Sequence, residues 1–330
     1  DNATPASATI HFNGDTATNY DRLFTRIGGD TNEPPLSVTL KEHTLTFTDG
    51  SEASFEIPEG FAIAVAAENV GKVRFMAMSP DGRMFVPDLV DYLLSPSGKV
   101  LILEDFNEET KQFETQHTYL SGLQGVNSVA FYRDNEGQDW LYVATVASLT
   151  RYPYTLGDTS PSGPGEVVAN FPAQQAPGEV SVVWHITRTI EIHDDRFYIS
   201  VGSGCNSCED PLNLMRGMII SMNPDGSDQQ VYVDGLRNAV GLEWAEGALF
   251  ATENGVDHLG VSAPDERMHK IVEGEHYAWP YCYELDGELL SDNSQEWTNP
   301  LSCGEAPHSL AAFPPRSAPL GLTYFDGTAH

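Results

Sequence analysis

Residues 183–204 read VWHITRTIEIHDDRFYISVGSG, and this stretch decides the fold. Apolar and polar residues alternate on both sides of the polar turn His193-Asp194-Asp195, which predicts two short strands joined as a hairpin. The second strand is rich in aromatic and aliphatic residues and ends in glycines. A polar residue, His185, stands where the first strand is predicted to begin.

The same layout recurs along the chain, with a polar residue opening each unit and Asp or Gly marking the turn inside it. Corresponding residues lie about 50 to 60 positions apart, with one longer interval, which is a period typical of propellers and solenoids. Since one blade cannot bury its own faces, several must pack radially, and equivalent positions then converge on one axis. The residues predicted to converge are Arg74, Asn127, His185, Arg237 and Arg316.

The repeats predict an all-β chain. Residues 1–35 are polar and suit a linker arm, and residues 36–330 suit the propeller domain, which opens with a hairpin of residues 38–47 and 53–57. Only residues 265–273, DERMHKIVE, predict a short helix. Because no partner strand follows residues 316–326, we expect the domain to be C-terminally incomplete. The predicted units span residues 60–115, 116–178, 179–232 and 233–298, with a fifth beginning near residue 305.

The charge of the chain is strongly negative, with 48 acidic and 17 basic residues and a net charge of −31. Such a charge argues against nucleic acids and anionic membrane surfaces as partners, and no apolar run is long enough to span a bilayer. The excess of carboxylates suits solubility in an acidic extracellular medium, or a surface for a basic partner or for calcium.

The four cysteines are Cys205, Cys208, Cys282 and Cys303. The first two have the spacing of half a zinc site, but the other two are too far apart to complete it. Two local disulfides, 205–208 and 282–303, are therefore favoured, in a secreted protein.

His185 and the arginines are the first candidates for chemistry. A neutral histidine that faces a cavity can act as a general base, although a strand histidine also serves to hold a neighbouring loop. Arg74, Arg237 and Arg316 would each find carboxylates to pair with, yet three arginines on one axis indicate a pocket for a polyanionic ligand. Asn238 adds an amide next to Arg237.

The loop of residues 253–266, ENGVDHLGVSAPDE, is the second candidate. Carboxylates, an amide and glycines suit calcium, which prefers oxygen ligands, including backbone carbonyls. The alternative is a solvated acidic loop in which Asp265 caps the predicted helix.

Three of these segments together resemble the signature of soluble sugar dehydrogenases that depend on pyrroloquinoline quinone (PQQ). They are residues 236–242 (LRNAVGL), residues 253–266, and residues 274–280 (GEHYAWP). Residues 185–203 and 316–322 are closer to the fungal pyranose dehydrogenase branch and its sorbosone-dehydrogenase-like relatives. The resemblance runs from about residue 57 to the end, and it implies a six-bladed β-propeller that holds PQQ and calcium on one face. It also implies an extracellular enzyme, often fused to a haem b cytochrome domain and sometimes to a cellulose-binding module.

The resemblance also implies roles for individual residues. His185 matches the base that takes the proton of the sugar hydroxyl, and Arg237 matches the arginine beside the reactive carbonyl of the cofactor. The implied cofactor contacts are Arg74, His185, Arg237, Asn238, Asn254, Asp265 and Arg316. The implied calcium ligands are Gly255, through its carbonyl, Asp257 and Asp265.

The chain departs from the related bacterial glucose enzymes at two places. Gly202-Ser203 stands where those enzymes have Gly-Asp, so the carboxylate that would orient His185 must come from elsewhere or be absent. Asn254-Gly255-Val256 stands where they have Gln-Gly-Pro, which makes Asp257 a substitute calcium ligand.

The function that this resemblance implies is oxidation of a pyranose, aldose or 2-keto aldose at C1, with PQQ as the hydride acceptor and a haem b cytochrome or an external acceptor receiving the electrons. Two alternatives remain. One is a non-catalytic extracellular propeller that binds an anionic ligand or a partner protein. The other is a calcium-dependent lactonase, which would need Asn, Asp and Glu ligands from several blades where this chain offers His and Arg.

Overall fold

The computed structural model of the chain describes residues 39–91, 95–172, 185–209, 215–298 and 300–324. The predicted linker arm lies outside these residues. The predicted opening hairpin is confirmed: β1 (Leu40–Thr46) pairs antiparallel with β2 (Glu52–Pro58). The Ser51 N–H and hydroxyl both donate to Asp49, which closes the turn between the strands.

Four sheets of four antiparallel strands follow, and each uses its strands in chain order. The first sheet contains β3 (Ala77–Met78), β4 (Met84–Asp88), β5 (Gly98–Asn107) and β6 (Gln112–Leu123). The second contains β7 (Ser128–Arg133), β8 (Asp139–Ala144), β9 (Ser148–Tyr154) and β10 (Glu166–Asn170). The third contains β11 (Ile190–His193), β12 (Arg196–Val201), β13 (Met218–Met222) and β14 (Gln230–Asp234).

The fourth sheet carries an insertion. Its first three strands are β15 (Ala239–Ala245), β16 (Ala248–Glu253) and β17 (Glu266–Ile271). A separate hairpin of β18 (Cys282–Leu285) and β19 (Glu288–Ser291) then intervenes, followed by a short 3-10 helix, Cys303–Glu305. The last strand, β20 (Ala311–Phe313), returns to pair with β17.

The tight turns within the sheets explain several of the local sequence signals. Asp194 and Asp195 both have positive φ (47° and 58°), and so do Glu246 and Gly247 (49° and 73°). Two successive residues of positive φ make the two-residue hairpin whose twist matches that of paired strands, and Asp and Gly adopt this conformation at low cost. The hairpin predicted within residues 183–204 is therefore confirmed, although its first strand begins at Ile190 and not at His185.

The apolar core lies between successive sheets. Phe85 on β4 meets Phe131 on β7 with ring centroids 4.9 Å apart. Tyr142 on β8 meets Phe197 on β12 at 4.5 Å, and around them lie buried residues of both sheets, among them Leu149 and Ile220. A further cluster joins the third sheet to the fourth through Tyr198 and Leu242. Sheets that pack face to face in sequence, each on the next, are the blades of a β-propeller, and four are present among the described residues.

Three sequence predictions about the elements are wrong. Residues 265–273 form no helix: β17 occupies them as a central strand between β16 and β20, where pairing on both sides overrides the helical spacing of Met268 and Ile271. The fourth unit ends at Phe313 and not at residue 298, because the inserted hairpin delays its last strand, so no fifth unit begins near residue 305. The first blade ends at Leu123, because β6 continues past the predicted boundary at residue 115.

Both predicted disulfides are confirmed, one joining Cys205 to Cys208 and the other Cys282 to Cys303. Among the described residues, no helix has the length and the apolar character that crossing a bilayer requires.

Candidate functional site

The segments that precede the first strands of the blades meet, as the repeats predict. The Phe75 N–H donates to the Asn127 carbonyl (3.3 Å), and the Asn127 Oδ1 accepts from the Arg188 N–H (3.2 Å). Arg188 Nη1 in turn donates to the carbonyl of His185 (3.1 Å). The segments that lead into the first three blades are thus linked to one another by hydrogen bonds.

His185 lies just ahead of β11 with a φ of 46°, a left-handed conformation that histidine adopts more readily than most residues. Its Nδ1 lies 2.7 Å from the Ser203 Oγ and 3.1 Å from the Ser203 carbonyl oxygen. Gly202 lets these segments approach, because a Cβ there would stand 2.5 Å from the Cβ of His185. Burial, and after it the charge of Arg237, hold the pKa of His185 well below its ordinary value, so the ring is neutral near pH 7.

Arg237 begins the fourth blade and is 3% exposed. Its carbonyl accepts from the Ser203 N–H (2.8 Å), and Ser203 is also the residue that contacts the His185 ring. Its guanidinium donates from Nε to the Asn206 carbonyl (2.9 Å) and from Nη2 to the Asn206 Oδ1 (2.7 Å). Burial lowers the pKa of Arg237, while Asp257 and neighbouring glutamates raise it, and the group keeps its positive charge.

Asp257 joins Arg237 to Arg316. Its Oδ2 accepts from Arg237 Nη2 at 2.6 Å, and its Oδ1 accepts from Arg316 Nη1 at 2.7 Å. Arg316 also donates to the Asp257 carbonyl (2.8 Å). The two arginines are therefore brought together, as predicted for a pocket that takes an anion, and one carboxylate of the chain itself bridges them.

Two amides lie beside the base. The Asn238 Nδ2 donates to the Asn254 Oδ1 (3.0 Å), and the Asn254 Nδ2 donates to the Pro319 carbonyl (2.8 Å). Asn238 is 8% exposed, and its Oδ1 has no hydrogen-bond partner among the described residues. A Cβ on Gly202 would contact both this oxygen and the Cβ of His185. A buried acceptor without a donor costs free energy, so its position next to the base suits a ligand that donates to it.

The predicted metal ligands are divided between two places. Gly255 and Asp265 line one small cavity together with Arg237, Arg267 and Glu284. The Gly255 N–H donates to Glu266 (2.6 Å), and the Asp265 Oδ2 accepts from the Asp286 N–H (2.8 Å). Asp257 is held by the arginines instead. In the part of the chain that the structure describes, no three His, Cys, Asp or Glu side chains form a group that could hold a metal ion.

Arg74 stands apart from the other predicted residues. Its backbone N–H donates to the Pro87 carbonyl (3.3 Å), and its Nε is buried without a partner among the described residues. Its neighbour Phe75 connects it to Asn127, whose side chain accepts from the Arg188 N–H.

Asn206 is a residue that sequence reasoning missed. Besides the two bonds from Arg237, its Oδ1 accepts from the Asp257 N–H (2.9 Å) and its carbonyl accepts from the Trp279 Nε1 (3.2 Å). Nothing in the sequence marks it except its place between Cys205 and Cys208, whose disulfide closes the loop that presents it. Ser203 was visible only as a departure from a Gly-Asp pair, and the structure identifies it as the contact of His185 Nδ1.

The fold is similar to that of several solved structures, while no curated protein matches the sequence. A Trichoderma reesei carbohydrate-active enzyme of family AA12, in its calcium structure, is 18% identical, with a TM-score of 0.66 over 88% of this chain and 76% of that chain. The holo form of the pyranose dehydrogenase PQQ domain from Coprinopsis cinerea is 16% identical, with a TM-score of 0.62 over 88% of this chain and 73% of that chain. The PQQ-bound aldose sugar dehydrogenase from Streptomyces coelicolor is 18% identical, with a TM-score of 0.57 over 88% and 78%.

At these identities the likeness shows the propeller fold of this chain. The family model that matches covers residues 48–283, more than half of the chain, from the opening hairpin into the inserted one. The chain therefore belongs to the family described as a domain of unknown function, DUF7133.

Proposed function

We propose that this chain is a secreted quinoprotein oxidoreductase, which oxidises a pyranose or a related aldose or 2-keto aldose at C1. One observation carries the proposal: Ser203 joins a neutral histidine to a buried arginine, binding His185 Nδ1 with its hydroxyl and the Arg237 carbonyl with its N–H. Besides burial, the charge of Arg237 also acts on the His185 ring and lowers its pKa. A base with a cation near it suits removal of a hydroxyl proton together with stabilisation of developing negative charge. The similar solved structures, which are PQQ domains of sugar dehydrogenases, support the same function.

The described residues fit a polyanionic cofactor such as PQQ. Arg237 and Arg316 converge within reach of one carboxylate, as their shared contact with Asp257 demonstrates. Asn238 offers, on the same side as His185, a buried acceptor that has no partner among the described residues. We assign Arg237, Arg316, Asn238 and Asn254 to cofactor binding, and Arg74 remains a predicted contact. When bound, PQQ supplies the hydride acceptor.

The described residues do not by themselves fit calcium. Both oxygens of Asp257 accept from arginines, and the cavity beside Gly255 and Asp265 is also lined by Arg237 and Arg267, two cationic residues that oppose a metal ion. Gly255, Asp257 and Asp265 remain predicted ligands, and no step is assigned to the metal.

In the proposed reaction His185 takes the proton of the sugar hydroxyl, which allows the carbon to give up its hydride. Arg237 is the residue proposed to stabilise the negative charge that this transfer creates. Water is kept from Arg237 by its burial beneath the Asn206 loop. The electrons then pass to a haem b cytochrome or to an external acceptor. A six-bladed ring, a linker at residues 1–35 and fusion to a cytochrome or a cellulose-binding module belong to the same proposal.

The test uses the full chain, purified without cofactor and titrated with PQQ in calcium and in EDTA while the absorbance is followed. Aldoses and 2-keto aldoses are then added. We expect PQQ to bind and the sugar to reduce it, and His185→Ala to abolish reduction while sparing binding. His117→Ala on β6 is the matched control and keeps reduction. Failure to bind PQQ would overturn the proposal in favour of a propeller that recognises another anionic ligand.

A further inference from the structure

The hydroxyl of Ser203 has a defined direction. Ser203 is completely buried, and its Oγ donates to the Cys205 carbonyl oxygen at 2.7 Å. A serine hydroxyl carries one proton, and a carbonyl can only accept. With that proton committed to Cys205, the Oγ has only lone pairs to offer to His185.

Both oxygens that face His185 Nδ1 are therefore acceptors. One is the Ser203 Oγ at 2.7 Å, and the other is the Ser203 carbonyl at 3.1 Å. If Nδ1 carried a lone pair, it would face lone pairs on both sides. If Nδ1 carries the proton, the hydroxyl, the two carbonyls and the ring are all satisfied at once.

We propose that Ser203 is the positioning residue of the base: its hydroxyl, anchored on the Cys205 carbonyl, fixes His185 as the Nδ1–H tautomer and so leaves Nε2 as the atom that accepts the substrate proton. This inference deepens the proposed function and rests on it for the role of Nε2, whereas the tautomer itself follows from the hydrogen bonds alone. The disulfide loop therefore acts on His185 through Ser203, because Cys205 supplies the carbonyl to which the Ser203 hydroxyl donates.

A serine in this place has a consequence that a carboxylate would not have. The charged groups acting on the His185 ring are Arg237, Arg216 and Arg188, all of which disfavour an imidazolium. The Ser203 carbonyl acts against these cations by raising the pKa of His185, but Ser203 adds no negative charge, so burial and the arginines still hold that pKa well below its ordinary value. The orienting group missing from the sequence comparison is therefore a hydroxyl.

The test is a long-range proton–nitrogen NMR spectrum of the full chain labelled with 15N-histidine. His185 is assigned among the ten histidines by its absence in His185→Gln. At neutral pH we expect a protonated Nδ1 and an unprotonated Nε2. The opposite pattern, or a doubly protonated ring, would overturn the inference, and this result needs neither PQQ nor a variant of Ser203.

Variants of Ser203 then separate positioning from packing. Ser203→Asp should keep the Nδ1–H tautomer and raise the pKa of His185, moving the acidic limb of the activity profile to higher pH. Ser203→Ala should lower kcat by about 10- to 100-fold and leave KM within about twofold. Ser200→Ala, which removes a buried hydroxyl that contacts Thr189 instead, is the control and should leave the His185 signals unchanged.

Different results would contradict the proposed function and the role of Ser203. The expected tautomer without sugar-driven reduction would contradict only the proposed function. Reduction by an enzyme whose His185 is the Nε2–H tautomer would contradict only the role of Ser203.

Discussion

Asp257 sets the charge that the two arginines present. It forms ion pairs with Arg237 and Arg316 through separate oxygens, so the three side chains together carry a single positive charge. The Asp257 side chain is 53% exposed, whereas that of Arg237 is 4% exposed. An anionic ligand that reaches Arg237 must therefore share it with, or take it from, a carboxylate already in place.

We expect Asp257→Asn to bind PQQ about tenfold more tightly, because it removes a negative charge next to the ligand and frees guanidinium donors. Titration of the absorbance of PQQ measures the change. Asp194→Asn, on the turn between β11 and β12, makes the same change of charge far from the arginines and should have no effect. Weaker binding by Asp257→Asn, together with loss of calcium dependence, would instead establish Asp257 as a metal ligand.

Some contacts of individual residues could be predicted from the sequence, and others could not. His185, Arg237 and Arg316 were predicted to converge from their equivalent places in repeated units, because radial repetition fixes where such positions lie. The arginine contacts of Asp257 could not be predicted, because they depend on how the loop after β16 folds back. Asn206 was equally hidden, since its contacts with Arg237 and Trp279 span 31 and 73 residues of sequence.

Strand β11 contains Glu191, a carboxylate whose ionisation destabilises the folded protein. Burial, with a smaller contribution from Glu243, raises the pKa of Glu191 to about 7. Its Oε1 accepts from the Trp244 N–H (3.0 Å), which ties β11 to β15 across two blades. Because the folded state holds this proton more tightly than the unfolded chain, stability falls as the pH rises from about 4.5 to 7 and the loss is complete above that range.

Glu191→Gln keeps the acceptor for Trp244 and removes the charge. We expect it to stabilise the protein at pH 8 by about 1 to 3 kcal/mol and to have no effect at pH 4, where both states are protonated. Urea unfolding at the two pH values measures this difference. Glu136→Gln, on an exposed turn, should change neither value, and equal effects of Glu191→Gln at both pH values would contradict the assignment to its charge.

The two disulfides should contribute in different proportions to stability and to binding. The Cys205–Cys208 bridge closes a loop of few residues and stabilises by only about 2 kcal/mol, whereas Cys282–Cys303 closes a longer one and stabilises by about 3 kcal/mol. The shorter loop presents Asn206 to Arg237 and anchors Ser203.

The double variant Cys205→Ser, Cys208→Ser should therefore weaken PQQ binding by about tenfold with a modest fall in Tm. The matched double variant Cys282→Ser, Cys303→Ser should lower Tm more and affinity less. Calorimetry and PQQ titration on the same samples compare them. If the first pair lost only stability, the Asn206 loop would have no part in binding.

Hairpins could be predicted from the sequence more accurately than the boundaries of strands and blades. The turn at Asp194-Asp195 was recognisable because its residues tolerate positive φ, and the existence of repeated blade-like units followed from their repetition, whereas the four strands of each sheet are seen only in the structure. Residues 265–273 were misinterpreted because a buried central strand needs no alternation of polar and apolar residues. Pairing of β17 with β16 and with the distant β20 is not encoded in the local spacing of residues 265–273, so that spacing gave no warning.

The whole molecule repels the ligand that its site is proposed to bind. With a net charge of −31, long-range repulsion slows the approach of an anion, while the arginines act only at short range. Since salt screens the distant charges more than the buried ones, we expect the association rate of PQQ to rise several-fold between low and physiological ionic strength.

Stopped-flow mixing at about 20 and 150 mM salt measures this rate. For a cationic electron acceptor reacting with the sugar-reduced protein, the same change should lower the rate, which makes it an internal control. A rate for PQQ that fell with salt would mean that a positive surface, and not the net charge, governs its approach.

The insertion between β17 and β20 has a consequence for how this protein can change over generations. Its sides are joined by the Cys282–Cys303 bridge, and β20 pairs with β17 from Glu266 to Met268 across the insertion. The insertion also reaches the site, because the Glu284 carbonyl accepts from the Asp265 N–H (2.9 Å). Mutations in this insertion can thus change the edge of the site while the four sheets keep their packing. Ligand preference can therefore diverge without loss of folding stability.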